Sequence, residues 1–233
     1  MSVHPGFGLI KTTLLDFPGL VAAVLFTAGC NLRCPWCHNP GLVQAPWDEG
    51  LLSEDEVIAF LDKRRNVLQG VVITGGEPLV HSDLAALLGR IKHLGYLIKL
   101  DTNGTFPERL AALEPGLVDY VAFDVKNAPS AYTRSTGLPV ERPKLQATLD
   151  LLKGRWSSAS ELRLTWVPGL NEPQTLDEYA AFVGRGIPLW VQAYRPGPVL
   201  DPSFAAVRAP TPSEIDQVVD HLVRLGVDAC RRS

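Results

Sequence analysis

The chain has little of what marks a secreted, membrane or nucleic-acid-binding protein. Only four of its 233 residues are cysteine, too few for the disulfide framework of a small secreted domain. No apolar run approaches the roughly 20 residues that cross a bilayer. The opening Met1-Ser2-Val3-His4-Pro5-Gly6 carries neither the basic region nor the apolar core of a secretory signal. Charge of one sign is scarce too: 22 Lys and Arg against 25 Asp and Glu leave a formal net charge of -3. No broad basic field therefore draws a polyanion. Low-complexity tracts and fixed-period repeats are missing. These absences predict a cytoplasmic, reducing compartment, with no nucleic acid and no membrane among the partners. What remains is a hydrophobic fraction of 46 %, enough at this length to bury one core. We expect a single domain over 1–233, its core at about 20–195, with an N-terminal lead-in and a C-terminal helix.

Scarce as they are, the cysteines are not scattered. Three fall in Cys30-Asn31-Leu32-Arg33-Cys34-Pro35-Trp36-Cys37-His38-Asn39-Pro40. A C-x3-C-x2-C loop lets three thiolates converge on one small metal centre. Thiolates are the usual iron–sulfur ligands, and a cuboidal cluster held by three keeps one iron open to a substrate or cofactor. A structural zinc site would take four ligands, and His38 could supply the fourth. Spacing alone leaves cluster and zinc both standing. Cys230, distant in sequence, is expected to have no chemistry.

Along the chain, short apolar runs alternate with amphipathic stretches. Strands are predicted at 21–27, 71–74, 96–100, 118–123, 162–167 and 188–194, because apolar runs of this length bounded by turn residues suit buried parallel strands. Ser53, followed by Glu56, reads as a capping box opening a helix through about Asn66. Further helices are predicted over 82–94, ended by Gly95, and over 144–153 and 175–183. Ser213 reads as the cap of a closing helix that runs to Leu225 before Gly226. Strand-then-helix repeated about six times implies a parallel sheet with right-handed crossovers. It falls short of eight units, so the expected fold is α/β, a partial open (β/α)6 TIM-like barrel.

The unusual polar residues cluster just past the carboxyl ends of these strands, the edge where parallel α/β folds do chemistry. There stand Cys30, then Gly75-Gly76-Glu77-Pro78, then Asp101-Thr102-Asn103-Gly104, then Asp124-Val125-Lys126. Gly75 and Gly76 would let backbone approach a ligand, and the Glu77 carboxylate could accept hydrogen bonds from an amino group. The plain alternative is a strand-to-helix turn. Asp124 and Lys126, two apart, should face one side, as a ligand pair or a salt-bridged rim. Asp101 could equally form an Asx-turn. Trp36 is a packing aromatic or the cover of a flat heterocycle; His38 a ligand donor or a turn cap. Arg163, inside an apolar strand, needs a carboxylate or an anion.

Taken together, these residues resemble the radical S-adenosylmethionine enzymes, whose signature is a C-x3-C-x2-C loop with an aromatic before the last cysteine, here Trp36. Gly75-Gly76-Glu77-Pro78 is similar to the family's Gly-Gly-Glu segment. Cys37-His38-Asn39-Pro40, Asp101-Thr102-Asn103-Gly104 and Asp124-Val125-Lys126 resemble segments of the glycyl-radical-enzyme activases. Ile10-Lys11-Thr12-Thr13-Leu14-Leu15-Asp16-Phe17-Pro18-Gly19 is similar to the activating proteins of anaerobic ribonucleoside-triphosphate reductase. Where pyruvate formate-lyase activase has a last-strand histidine, this chain carries Tyr194-Arg195.

The resemblance implies a barrel of the radical SAM type and a 4Fe–4S cluster on Cys30, Cys34 and Cys37, the catalytic and metal residues. It implies S-adenosylmethionine held by Gly75, Gly76, Glu77, Asp101, Asn103, Asp124, Lys126 and Arg163, with Trp36 and His38 bordering the adenine. Asp101 with Asp124 could also seat a monovalent cation. The implied partners are a glycyl radical enzyme, that reductase first, and a flavodoxin- or ferredoxin-like electron donor. Two alternatives stay open. One is a radical enzyme acting on a small molecule, of the 7-carboxy-7-deazaguanine synthase type. The other is a non-catalytic zinc- or cluster-binding module.

Overall fold

The structure, a computed structural model, describes residues 6–44 and 50–232. Residues 1–5, on which the reading of the amino terminus mostly rests, lie outside them. Eight strands form a sheet in sequence order: β1 (Phe7–Thr13), β2 (Ala22–Thr27), β3 (Gly70–Gly75), β4 (Leu97–Thr102), β5 (Tyr120–Asp124), β6 (Ser160–Trp166), β7 (Leu189–Ala193) and β8 (Ala229–Arg231). β2 pairs with β3, β3 with β4, β6 with β7 and β7 with β8, all in parallel. The six predicted strands are β2 to β7, side by side in sequence order.

Sequence reasoning missed the two end strands. β1 runs antiparallel to β2, and its outer half is largely exposed, so its pattern lacks the continuous apolar run of a buried strand. β8 is only three residues long, one of them buried. Neither presents enough apolar surface to announce itself.

The described residues divide into two compact units: 6–31, 41–44, 50–102 and 108–121 in the first, 32–40, 103–107 and 122–232 in the second. In the first unit α1 (Glu54–Lys63) and α2 (Leu84–His93) accompany β1 to β4. The core is the inner face of β2 and β3 with Ile98, Leu100, Leu87, Leu88 and Ile91, all fully buried. The Ser53 capping box is present: Ser53 Oγ accepts the Glu56 N–H at 3.3 Å, and Glu56 Oε2 accepts the Ser53 N–H at 2.8 Å. α1 stops three residues short of the predicted end.

Short α3 (Pro107–Ala112) follows β4, and in the second unit α4 (Tyr132–Thr136), α5 (Arg142–Arg155), α6 (Leu176–Val183) and α7 (Pro212–Arg224) separate the later strands. One cap needs correction. α7 is capped by Thr211, not Ser213: Thr211 Oγ1 accepts the Glu214 N–H at 3.2 Å and Glu214 Oε2 accepts the Thr211 N–H at 2.7 Å. Pro212 takes the first helical position, where a missing N–H costs nothing.

Candidate functional site

In the first unit, β2 and β3 deliver their exit loops against each other. Gly76 N–H donates to Thr27 O at 2.8 Å and Glu77 N–H to Gly29 O at 2.9 Å. Gly29 N–H reaches Leu42 O at 2.6 Å and Cys30 N–H reaches Val43 O at 3.1 Å. The backbone at Gly29 and Cys30 is thus held by the 42–43 segment and by Glu77. A Cβ at Gly76 would stand 2.0 Å from Gly29 O, and one at Gly75 would stand 2.5 Å from Thr27 N. The demand for glycine at both positions therefore comes from the chain's own β2 exit.

Glu77 is buried, and its Oε1 accepts the Leu79 N–H at 3.1 Å and the Thr102 Oγ1–H at 2.8 Å. Those two donors fix the carboxylate at the end of β3. Asp101 makes a contact that no motif predicted: Lys99 Nζ, fully buried two residues earlier on β4, donates to its Oδ1 at 2.5 Å. Asp101 therefore carries an ion pair in addition to any turn it makes.

In the second unit, the rest of the cysteine loop is tied down from several sides. Arg33 N–H donates to Thr136 O at 2.9 Å, Cys37 N–H to Cys34 O at 3.0 Å, and Leu200 N–H to Cys37 O at 3.0 Å. Trp36 is buried, its Nε1–H on Ser135 O at 3.0 Å, with Lys126 Nζ 5.3 Å from its ring centroid. That ammonium over an indole face is a cation–π contact. Lys126 Nζ also lies 3.6 Å from Asp124 Oδ2, while Arg163 Nε donates to Asp124 Oδ1 at 2.7 Å. Arg163 thus has the carboxylate its place in an apolar strand required. Asn103 accepts the N–H and hydroxyl of Thr105 at Oδ1, 3.1 and 2.6 Å away, which makes its local role a turn.

His38 Nε2 lies 2.7 Å from Arg195 O, and its ring centroid is 5.4 Å from that of Tyr194. The carbonyl can only accept, so Nε2 carries the proton. Tyr194 is fully buried, donates its hydroxyl to Phe204 O at 2.8 Å, and has its pKa raised by that burial. Residues that sequence reasoning missed are Lys99 and Tyr132. Tyr132 is buried, and desolvation raises its hydroxyl well above the ordinary tyrosine range, against the pull of Lys126. Neither carries a motif; strand alternation from Asp101 could have flagged Lys99.

The three cysteines form no disulfide; Cys34 is buried, and Cys30 and Cys37 are half-buried. Burial pushes the Cys34 thiol up to about 11, with the Lys126 charge pulling the other way. Such a thiol ionises only when a cationic centre takes the proton's place. Among the described residues, no three His, Cys, Asp or Glu side chains gather closely enough to hold a single metal ion. The donor chemistry, three reduced cysteines in a C-x3-C-x2-C segment, is that of an iron–sulfur cluster.

The model of the Radical SAM superfamily matches residues 24–183. The chain is 30 % identical over 218 residues to a protein of Methanocaldococcus jannaschii whose name marks it, provisionally, as a glycyl-radical enzyme activating enzyme; the match spans 91 % of this chain and 88 % of that one. It is 37 % identical over 105 residues to the 7-carboxy-7-deazaguanine synthase of Halobacterium salinarum, over 42 % of this chain and 39 % of that one. A solved structure of TYW1 with a lysine-pyruvate adduct superposes with a TM-score of 0.64 at 16 % identity, over 90 % of this chain and 76 % of that one. That likeness is one of fold.

Proposed function

The chain belongs to the radical SAM superfamily, and on that premise we propose that it activates a glycyl radical enzyme, anaerobic ribonucleoside-triphosphate reductase being the partner. The near-full-length likeness to the Methanocaldococcus jannaschii protein, provisionally named a glycyl-radical enzyme activating enzyme, carries this reading. The branch rests on the resemblance of Ile10 to Gly19, which here forms the outer part of β1 and the turn after it.

Cys30, Cys34 and Cys37 would hold the 4Fe–4S cluster. A bound cluster would supply one-electron reduction, drawn from a flavodoxin- or ferredoxin-like donor, and S-adenosylmethionine so reduced would supply the carbon radical that takes a hydrogen atom from the partner's glycine. The protein's own work is orientation and exclusion of water. Glu77, fixed by Leu79 and Thr102, receives the methionine amino group beside the Gly75–Gly76 backbone. Asp124 is steered by Arg163 and Lys126, so it offers a set direction to a ribose hydroxyl. Lys126 holds the charge that favours a ligand carboxylate and steadies the Trp36 ring. Trp36 and His38 border the adenine, and Asp101 and Asn103 complete the ligand shell. With Nε2 committed to Arg195 O, His38 meets any ligand through its other ring nitrogen.

The test is anaerobic. The iron-reconstituted protein with a reductant and S-adenosylmethionine should yield 5′-deoxyadenosine; with the reductase added, electron paramagnetic resonance should show a glycyl radical. Cleavage with no glycyl signal but with turnover of a purine precursor would favour the deazaguanine synthase reading. No 5′-deoxyadenosine at all would end the radical reading.

A further inference from the structure

Lys99 is fully buried, its ammonium 2.5 Å from Oδ1 of Asp101, whose own side chain is 9 % exposed. The two lie on β4 at i and i+2, so strand alternation turns them to one face. Burying an ammonium is costly unless a carboxylate answers it, and here one does. The resemblance implied a monovalent cation at Asp101 together with Asp124. Each of these carboxylates already has a cation of the protein's own. Asp101 has Lys99 in the first unit, and Asp124 has Arg163 and Lys126 in the second.

We propose that Lys99 is a built-in counter-ion, its ammonium taking at Asp101 the place of a monovalent metal cation, so that this protein binds its cofactor without needing sodium or potassium. Both candidates carry one positive charge and both seek carboxylate oxygen. The lysine is tethered two residues away, so no ion need be captured from solution. A metal cation on the same carboxylate would meet an ammonium already in hydrogen-bond contact, and like charges at that range repel. Lys99 is thus a positioning residue that acts through Asp101. The inference rests on the proposed cofactor, S-adenosylmethionine, but its first readout does not.

The cluster-loaded full chain and its Lys99→Met variant are unfolded thermally in tetramethylammonium, sodium and potassium chloride at equal ionic strength. S-adenosylmethionine binding is measured calorimetrically in the same three salts. The wild-type midpoint should not depend on the cation, and its dissociation constant should change by less than about twofold. Lys99→Met should lose about tenfold or more in affinity in tetramethylammonium, as truncating one side of a buried charge pair does. Sodium or potassium should restore most of that loss and raise the midpoint by several degrees. A packing role for the lysine stem predicts no such rescue. Wild-type binding that tightens several-fold in potassium overturns the proposal, and so does a Lys99→Met variant indifferent to the cation. If Lys99→Met fails to fold in all three salts, Lys99→Gln is read in its place by the same criteria. Absence of cofactor binding by the wild type in every salt would defeat the proposed function instead, leaving the midpoints to decide the role of Lys99.

Discussion

At the scale of single residues, the site is built from side chains held by neighbours before any ligand arrives. Gly76 shows how little room that leaves. A Cβ there would press 2.0 Å from a backbone oxygen, and backbone cannot swing aside as a side chain can. Gly76→Ala should therefore cost about 1–3 kcal/mol, the usual range for overpacking, seen as a lower urea midpoint. Arg163 answers Asp124 from within an apolar strand, so Arg163→Met should destabilise by about 1–3 kcal/mol, since it takes the hydrogen-bonded guanidinium from a half-buried carboxylate and leaves Lys126 at 3.6 Å; equilibrium unfolding measures it. His81 gives the pH dependence. Burial holds its pKa below the ordinary value, while its Nε2–H donates to Ala28 O at 2.7 Å. The unfolded chain, titrating near 6.5, then binds more protons than the folded one in the window between the two values. Stability contributed by neutral His81 is complete above about 6.5 and falls as the pH drops through that window, by at most about 1.4 kcal/mol per pH unit for one proton. Unfolding of His81→Gln measured from pH 7.5 to 5 should show a shallower acid loss than wild type.

At the scale of elements, caps and strand ends do the positioning. β2, β3, β4 and β5 end at or beside Cys30, Glu77, Asp101 and Asp124, so the place of each at a strand's carboxyl end was legible from sequence alone. The α1 capping box was equally legible, because its Ser and Glu interact locally. α7 was not read correctly: Pro212 sits where a helix readily begins, so the cap moves one residue further out, to Thr211. Thr211→Ala should cost about 0.5–2 kcal/mol, whereas Ser213→Ala should stay within about 0.5 kcal/mol of wild type. Denaturant melts of the two variants check the assignment. β1 and β8 escaped because pairing at the end of a sheet needs few apolar residues, and pattern reading counts apolar residues.

At the scale of the whole molecule, the proposed centre should stabilise the native chain, because only the folded loop presents three thiolates together. Removing iron with a chelator should lower the thermal midpoint. Cys30→Ser, Cys34→Ser and Cys37→Ser should each lose most bound iron and sulfide, while Cys230→Ser, exposed on β8, should keep the wild-type content; iron and sulfide assays decide it. The amino-acid order alone determined the succession of β2 to β7, the cysteine loop and which polar residues end the strands, since period and spacing are local properties of a chain. Tertiary structure alone decided which partner each of those residues keeps: that Asp101 answers Lys99, that Arg163 answers Asp124, that His38 leans on Arg195. Such pairings join strands or loops distant in sequence, or turn on whether a side chain is buried, and burial is set only once the elements have packed.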